Sequence, residues 1–149
     1  MNNTNGSLII HGGKLTLKDV MAVSRDKKKV ILSKESTLAV QKAEHILSKW
    51  AKTGKVIYGM TTGLGDNIRM LIPPEYASEL SKNILLSHAA GVGRPLPEEI
   101  VRAIMLLRIN CLTQGKSGIS LKAVNLLLEM LNKGIHPCNP RARFCGSIR

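Results

Sequence analysis

Aromatic side chains are scarce in this sequence: its 149 residues contain one Trp, two Tyr and one Phe. Proteins that bind single-stranded nucleic acid usually stack bases on aromatic rings, so the chain lacks the material for such a platform. The formal net charge of +12 still raises nucleic acid as a possible partner. The basic residues are spread along the chain, however, which is typical of solvated faces. Nucleic-acid binding is therefore the weakest of the functional hypotheses.

Cysteine is also sparse, and long apolar runs are missing. The three cysteines, Cys111, Cys138 and Cys145, form no C-x-x-C pair, so a disulfide framework is disfavoured and reduced thiols are expected. The spacing of His136, Cys138 and Cys145 matches no common zinc pattern, and no metal site is predicted. No run approaches the roughly 20 apolar residues of a membrane span, and the first residues lack the pattern of a signal peptide. We predict a cytoplasmic protein without membrane contact.

The length and the 44% hydrophobic content predict one globular domain with no internal boundary across residues 1–149. Short strands are predicted at 7–10 and 29–32, and an amphipathic helix at about 34–51, where apolar residues recur at helical spacing. A second helix is predicted from Pro73-Pro74 to about Ala90, ended by Gly91-Val92-Gly93. A third helix is predicted to begin at Pro97, and a fourth is predicted over about residues 119–133. The sequence thus favours a mainly α fold, a helical bundle with short N-terminal β-strands.

The helix that begins at Pro97 is apolar on almost every side. Only Arg102 and Arg108 form a narrow polar strip, which is typical of a helix buried on several sides. A small domain offers too little cover for two such helices. We therefore expect the inner layer of a larger structure, either a longer chain or an oligomer.

Phosphate-binding loops are disfavoured. Gly115-Lys116-Ser117 resembles the end of a Walker A motif, but the first glycine of that motif would fall at Asn110, inside a predicted helix. Gly63-Leu64-Gly65 and Gly91-Val92-Gly93 begin like dinucleotide fingerprints, yet they lack the last glycine and a βαβ context. Nucleotide cofactors are not expected.

One of the two tyrosines, Tyr58, lies in the glycine- and threonine-rich stretch YGMTTGLG at 58–65. A glycine-rich segment can approach a ligand closely and can move, so a tyrosine on it can deliver a phenol into a pocket. An ionised phenol is a strong base, but its anion must be stabilised by neighbouring donors or positive charge. The structural alternative is that Tyr58 closes a turn through its hydroxyl group. For His88, which follows Ile84 at helical spacing, the alternative is a histidine satisfied within the core.

Taken together, these segments resemble the N-terminal part of the histidine and aromatic amino acid ammonia-lyases. YGMTTGLG at 58–65 is followed, in matching order and spacing, by NILLSHAAGVGRPLP at 83–97. LTLKDV at 15–20, RAIMLLRIN at 102–110 and GKSG at 115–118 add support. The resemblance extends over roughly residues 15–148. Its Ser-His-Ala-Ala-Gly segment is most similar to histidine ammonia-lyase, and tyrosine or phenylalanine ammonia-lyases and related aminomutases stay open as alternatives.

The resemblance implies a mainly helical homotetramer with active sites shared between subunits. Family members eliminate ammonia from an α-amino acid: a methylidene-imidazolone, made from an internal Ala-Ser-Gly, traps the amine, and a base removes a β-proton. By resemblance, Tyr58 is the catalytic base and His88 contacts the substrate side chain. Gly59, Gly63 and Gly65 would give the loop its mobility, and Thr61 and Thr62 would help to position it. No external cofactor and no metal are implied.

The sequence departs from the family pattern in one decisive respect, because none of its 149 residues form an Ala-Ser-Gly. Gly146-Ser147-Ile148 resembles the segment that precedes this tripeptide in the family. In addition, Leu64 stands where the family usually has Phe. We expect the chain alone to be inactive and to represent the N-terminal portion of such an enzyme. A catalytically dead binding or regulatory module is the alternative from another class.

Overall fold

The computed structural model describes residues 6–143, apart from Gly54 and Met60. In chain order its elements are β1 (Leu8–Ile10), α1 (Leu17–Ser24), β2 (Val30–Leu32), α2 (Lys34–Lys52), α3 (Ala77–His88), β3 (Gly91–Pro95), α4 (Glu98–Leu112), α5 (Leu121–Lys133) and β4 (Pro140–Arg143). Two 3-10 turns, Gly65–Arg69 and Pro74–Tyr76, lie between α2 and α3. The predicted mainly α class with short N-terminal strands is confirmed.

The described chain divides into two compact units. The first contains residues 6–46 and 95–139, and the second contains residues 47–94 and 140–143, so that the boundary falls within α2. The interpretation of residues 1–149 as one domain or fragment without an internal boundary stays a prediction. No helix in the described part of the chain is long and apolar enough to span a membrane.

The first unit contains a parallel pair of strands, in which Leu8, Ile9 and Ile10 of β1 pair with Val30, Ile31 and Leu32 of β2. Helix α1 lies between them in sequence and begins with a capping box. The Thr16 hydroxyl accepts a hydrogen bond from the Asp19 N–H, and the Asp19 carboxylate accepts one from the Thr16 N–H. These bonds satisfy donors that every helix N-terminus leaves free. The Thr16 hydroxyl also donates a hydrogen bond to the Asp19 carboxylate at 2.7 Å, and this bond, followed by the one from the Thr16 N–H, lowers the pKa of the Asp19 carboxyl below its ordinary value.

The core of the first unit is formed mainly by α1, α4 and α5 packed beside the strand pair. Helix α4 is the central element and contacts both α1 and α5. Eleven buried apolar side chains make one cluster: Ile10, Val23, Val30, Val40, Val101, Met105, Leu106, Ile109, Leu112, Val124 and Leu131. Their burial removes apolar surface from water, which is the main favourable contribution to folding.

Arg102 is 2% exposed and lies inside this unit. Its Nε and Nη2 donate hydrogen bonds to the carbonyl oxygen of Val23, at 3.1 and 2.9 Å, and its Nη1 donates one to Leu131 at 2.9 Å. Both carbonyls lie near the C-terminal ends of their helices, where the dipole favours a cation, and the Leu131 carbonyl also accepts a hydrogen bond from the Gly134 N–H. The expectation that Arg102 belongs to an exposed polar strip is therefore wrong.

Two further side chains bind backbone groups across this unit. The Asn132 side chain accepts a hydrogen bond from the Val30 N–H at 2.9 Å and donates one to the Val30 carbonyl at 2.8 Å. The Glu44 carboxylate accepts a hydrogen bond from the Leu121 N–H at 2.9 Å, at the first residue of α5. Each contact pairs a polar backbone group that would otherwise need water or another strand.

The opposite side of α4 is not covered within the described chain. Ile100, Ile104 and Leu107 are 43–50% exposed and recur at the spacing of one helix face. This exposure agrees with the expectation that a small domain offers this helix too little cover, and burial of the helix within a larger structure stays a prediction. Such an apolar stripe is typical of a surface that contacts further protein.

The second unit contains the end of α2, the two 3-10 turns, α3 and the paired strands β3 and β4. Gly91 lies against β4, because a Cβ atom on it would clash with the Pro140 side chain. The segment Gly91-Val92-Gly93 was expected to end the second helix. That helix ends at His88, and the glycines begin β3.

Candidate active site

The segment that carries Tyr58 follows directly from the C-terminal end of α2. The Thr53 hydroxyl donates a hydrogen bond to the Trp50 carbonyl at 2.9 Å, and the Lys55 N–H donates to the same carbonyl at 3.3 Å. The Lys55 ammonium lies 4.0 Å from the centre of the Trp50 ring, within the range of a cation–π contact. These contacts define where the helix ends and where the Tyr58 loop, residues 57–72, begins.

Thr61 closes the turn that presents Tyr58. Its hydroxyl oxygen accepts a hydrogen bond from the Ile57 N–H at 2.7 Å and donates one to the Lys55 carbonyl at 3.0 Å. The Thr61 N–H in turn donates to the Ile57 carbonyl at 3.0 Å. Ile57 and Thr61 are thus joined by two reciprocal bonds, and Tyr58 lies between them.

Thr62 anchors the same turn from the inside. It is 1% exposed, and its hydroxyl accepts a hydrogen bond from the Gly59 N–H and donates one to the Gly63 carbonyl. Thr62 also forms an antiparallel bridge with Leu71. The segments before and after the 3-10 turn at Gly65–Arg69 are therefore paired with each other.

Three positions of the loop favour glycine, two because of their backbone conformation and one because a side chain would not fit. Gly59 and Gly65 have φ angles of 70° and 57°, in the left-handed region that glycine adopts at little cost. Gly63 lies against the next turn, since a Cβ atom there would come within 2.6 Å of the Asn67 carbonyl oxygen. These positions support the described shape of the loop, and the mobility expected of it stays a prediction.

The Tyr58 side chain is 59% exposed, and its phenolic oxygen accepts a hydrogen bond from the Gly65 N–H at 3.3 Å. The contact agrees with the structural alternative, in which the hydroxyl closes a turn. It also places a backbone donor at the phenolic oxygen, which is what an ionised phenol requires. Both interpretations of Tyr58 therefore fit the geometry.

His88 is the last residue of α3, and its side chain is exposed. Its Nδ1 lies 2.8 Å from the Ile84 carbonyl oxygen and 3.0 Å from the Ser87 hydroxyl. The alternative of a core histidine is therefore wrong for the described chain. The hydrogen bonds of Tyr58 and His88 are local, and none of those described joins the two side chains.

Tyr58, His88 and the loop residues could be named from the sequence, whereas the hydrogen bonds that hold them were not predicted. The pairing of 61–63 with 70–72 and the contact of Ser87 with His88 were not anticipated. The adjacent Ser-His pair was a visible signal for the second contact. Within the described residues, no group of three or more His, Cys, Asp or Glu side chains is placed to hold a metal ion; Cys145 lies outside these residues.

Comparison with known proteins identifies the family pattern. Residues 15–147 match the aromatic amino acid lyases. The histidine ammonia-lyase of Caldanaerobacter subterraneus subsp. tengcongensis is 44% identical over 140 residues, which is 94% of this chain and 28% of the relative. The chain thus spans less than a third of the length of this curated relative.

Solved structures agree with this match. The crystal structure of an ergothionase from Treponema denticola has a TM-score of 0.89 and 36% identity, and the match covers 95% of this chain and 29% of the other. A tyrosine aminomutase from Streptomyces globisporus has a TM-score of 0.88 and 33% identity, with 93% and 26% coverage. The resemblance drawn from the sequence and the expected similarity of fold are both confirmed.

Proposed function

Because the chain belongs to the aromatic amino acid lyase family, we propose that it is the N-terminal portion of an ammonia-lyase that acts on an amino acid. In this proposal Tyr58 removes a β-proton, and His88 contacts the substrate side chain. The observation that carries the proposal is the placement of Tyr58: an exposed phenol on a paired loop, with the Gly65 N–H directed at its oxygen.

The proton transfer assigned to Tyr58 has a defined balance. The ionised phenolic oxygen takes a proton from the β-carbon, and the electrons of that C–H bond form the Cα–Cβ double bond. The Cα–N bond breaks, and ammonia leaves with the electron pair of that bond. A hydrogen bond from the Gly65 N–H stabilises negative charge on the phenolic oxygen before the transfer.

The residues present do not supply the family's electrophile. No Ala-Ser-Gly occurs in the 149 residues, so this sequence cannot form a methylidene-imidazolone by the family's route. The contribution of this chain is therefore restricted to proton removal and contact with the substrate. We expect no turnover by the 149-residue chain alone.

Histidine is the substrate that the comparisons favour, with urocanate and ammonia as products. The support is that curated histidine ammonia-lyases from several organisms are 40–44% identical to this chain over 138–140 residues. A tyrosine or phenylalanine lyase, or an aminomutase, is the alternative within the family. A catalytically dead binding or regulatory module is the alternative of another class.

We further propose that the complete enzyme is a cytoplasmic homotetramer. The support from this chain is the apolar stripe on α4, formed by Ile100, Ile104 and Leu107. Exposed apolar stripes of this kind are costly in water and are normally covered by further protein.

The test is a chimaera in which residues 15–143 of this chain replace the matching segment of the Caldanaerobacter histidine ammonia-lyase. We expect the chimaera to convert histidine to urocanate, followed by ultraviolet absorbance. Tyr58→Phe should lower kcat by at least about 100-fold, the usual contribution of a general base. Tyr76→Phe is the matched control, because Tyr76 is also exposed and lies outside the loop. Equal activity of the two variants would contradict the role of Tyr58. A folded tetrameric chimaera without any activity would favour the binding module.

A further inference from the structure

Three groups meet at the C-terminal end of α3. The Ser87 hydroxyl donates a hydrogen bond to the Ile84 carbonyl at 2.9 Å. The His88 Nδ1 lies 2.8 Å from that carbonyl and 3.0 Å from the Ser87 oxygen. The Ile84 carbonyl lies four residues before the end of α3, and a carbonyl oxygen has two lone pairs, so it can accept more than the one backbone hydrogen bond of the helix.

The position of the proton follows from the chemistry of these three groups. A carbonyl oxygen can only accept, so a ring nitrogen at 2.8 Å from it must carry the hydrogen. The single hydrogen of Ser87 is already directed at the same carbonyl, which leaves the Ser87 oxygen to accept from the Nδ1–H. In the neutral ring, Nε2 then has a free lone pair.

We infer that the Ile84 carbonyl fixes neutral His88 as the Nδ1–H tautomer and so presents Nε2 as a hydrogen-bond acceptor. Ser87 is a positioning residue that limits rotation of the ring. A free imidazole in water favours the opposite tautomer, so the helix end reverses the ordinary preference. The hydrogen bond made by one ring nitrogen commonly decides what the other can do.

The functional consequence rests on the proposed function. If His88 contacts the substrate side chain, Nε2 accepts a hydrogen bond from a donor on it, such as the ring N–H of an imidazole. A side chain without a donor would leave the lone pair unpaired. The tautomer itself does not depend on catalysis and can be measured on the chain as it stands.

The experiment is a long-range ¹H–¹⁵N correlation spectrum of the ¹⁵N-labelled 149-residue chain. Spectra are recorded over a series of increasing pH, and the tautomer is read where the signals of the His88 ring no longer change with pH. The signals of His88 are assigned by their loss in His88→Gln. We expect Nδ1 to resonate as a protonated, pyrrole-type nitrogen and Nε2 as a pyridine-type nitrogen.

Ser87→Ala should keep the Nδ1–H form, because the Ile84 carbonyl remains. Ser81→Ala is the matched control, since Ser81 makes the same kind of bond, to the Ala77 carbonyl, one and a half turns earlier. A majority of the Nε2–H form in the unaltered chain would overturn the inference. A switch to that form in Ser87→Ala would equally overturn it, because the hydroxyl rather than the carbonyl would then hold the proton. An Nδ1–H ring together with an inactive chimaera would leave the inference standing and count against the proposed function.

Discussion

The guanidinium group of Arg102 donates two hydrogen bonds to one carbonyl oxygen, that of Val23, across 79 positions of the sequence. A third bond reaches Leu131, so that one side chain of α4 holds the ends of α1 and α5 together. Removing it takes both side-chain donors from the buried Val23 carbonyl, whereas the Leu131 carbonyl keeps the hydrogen bond from the Gly134 N–H. The loss of these bonds lowers the stability of the whole first unit.

Arg102→Lys should lower the free energy of unfolding by about 2–3 kcal/mol, because an ammonium cannot reproduce the planar set of donors. Urea denaturation followed by circular dichroism measures the change. Arg108→Lys is the control on the same helix, where the side chain is exposed, and should stay within about 0.5 kcal/mol. Equal stability of the two variants would show that the Arg102 contacts contribute little.

Gly115→Ala should be destabilising for two reasons. The φ angle of Gly115 is 68°, which costs a residue with a Cβ roughly 1–2 kcal/mol. The new atom would also lie 2.6 Å from the Ala39 carbonyl oxygen. We expect a total loss of about 2–4 kcal/mol in thermal or urea unfolding. Gly13→Ala, with nothing within 4 Å of the added atom, should be nearly neutral. A neutral Gly115→Ala would mean that α2 does not approach this glycine in solution.

Thr61→Val should release the turn that presents Tyr58. Valine keeps the shape of threonine but removes the acceptor of the Ile57 N–H, so that amide should exchange faster with solvent, by about 5- to 10-fold for a loss of about 1 kcal/mol. Amide hydrogen exchange measured by NMR reports this directly. In Thr53→Val, which loses a bond to the Trp50 carbonyl instead, exchange of the Ile57 amide should not change. Unchanged exchange in Thr61→Val would contradict the described closure of the turn.

The capping box of α1 predicts a pH dependence. The pKa of Asp19 is lowered in the folded state, first by the Thr16 hydroxyl and then by the Thr16 N–H. A lowered folded-state pKa adds stability that is present above the ordinary value of 3.8 and is lost as the pH falls through the folded-state value. Because the Asp19 carboxylate lies near the surface and solvent screens its interactions, the difference in stability between the unaltered chain and Asp19→Ala should be below about 1 kcal/mol at pH 7, and it should shrink as the pH falls through 3.8 and below. A difference that stays constant across this range would assign the effect to something other than the charge.

His88 should influence substrate binding in the chimaera described above. His88→Gln retains a side-chain acceptor, whereas His88→Leu removes it. We expect Leu to raise KM for histidine by about 10-fold or more, the effect of about 1.4 kcal/mol, and Gln to restore part of the loss. Steady-state kinetics at several histidine concentrations separate KM from kcat. A fall in kcat with unchanged KM in both variants would place His88 in the chemical step rather than in binding.

The helices with clear apolar periodicity were predictable from the sequence to within about two residues. Helix α2 was expected at about 34–51 and is observed at Lys34–Lys52, and the helix expected at about 119–133 is observed at Leu121–Lys133. In both helices, the apolar periodicity and the residues that mark the helix ends indicate the same bounds. Helix α1 was not predicted, although Thr16 and Asp19 have the spacing of a capping box, because eight residues carry too short a pattern.

The features that the sequence did not reveal depend on distant partners. The local sequence Gly91-Val92-Gly93 predicts a helix end. It forms a strand because it pairs with β4, about 50 positions later in the chain. Arg102 reads as a polar surface residue, and only the ends of α1 and α5 bury it. The site residues were predictable from the pattern of 58–65 and 83–97. The bonds that orient Tyr58 arise from the local backbone path and had no separate signal, whereas the adjacent Ser87 was a signal for the contact at His88.

The contact of Asn132 with Val30 has a consequence for association. One edge of β2 is used by β1, and the groups of Val30 that face the other edge are already bound by an amide side chain. An uncovered strand edge is a template on which another chain can add a strand. Here the Asn132 side chain takes the hydrogen bonds that a third strand would make to Val30. A strand from another chain therefore finds no free backbone group at Val30 to pair with, which disfavours growth into a fibre at this position.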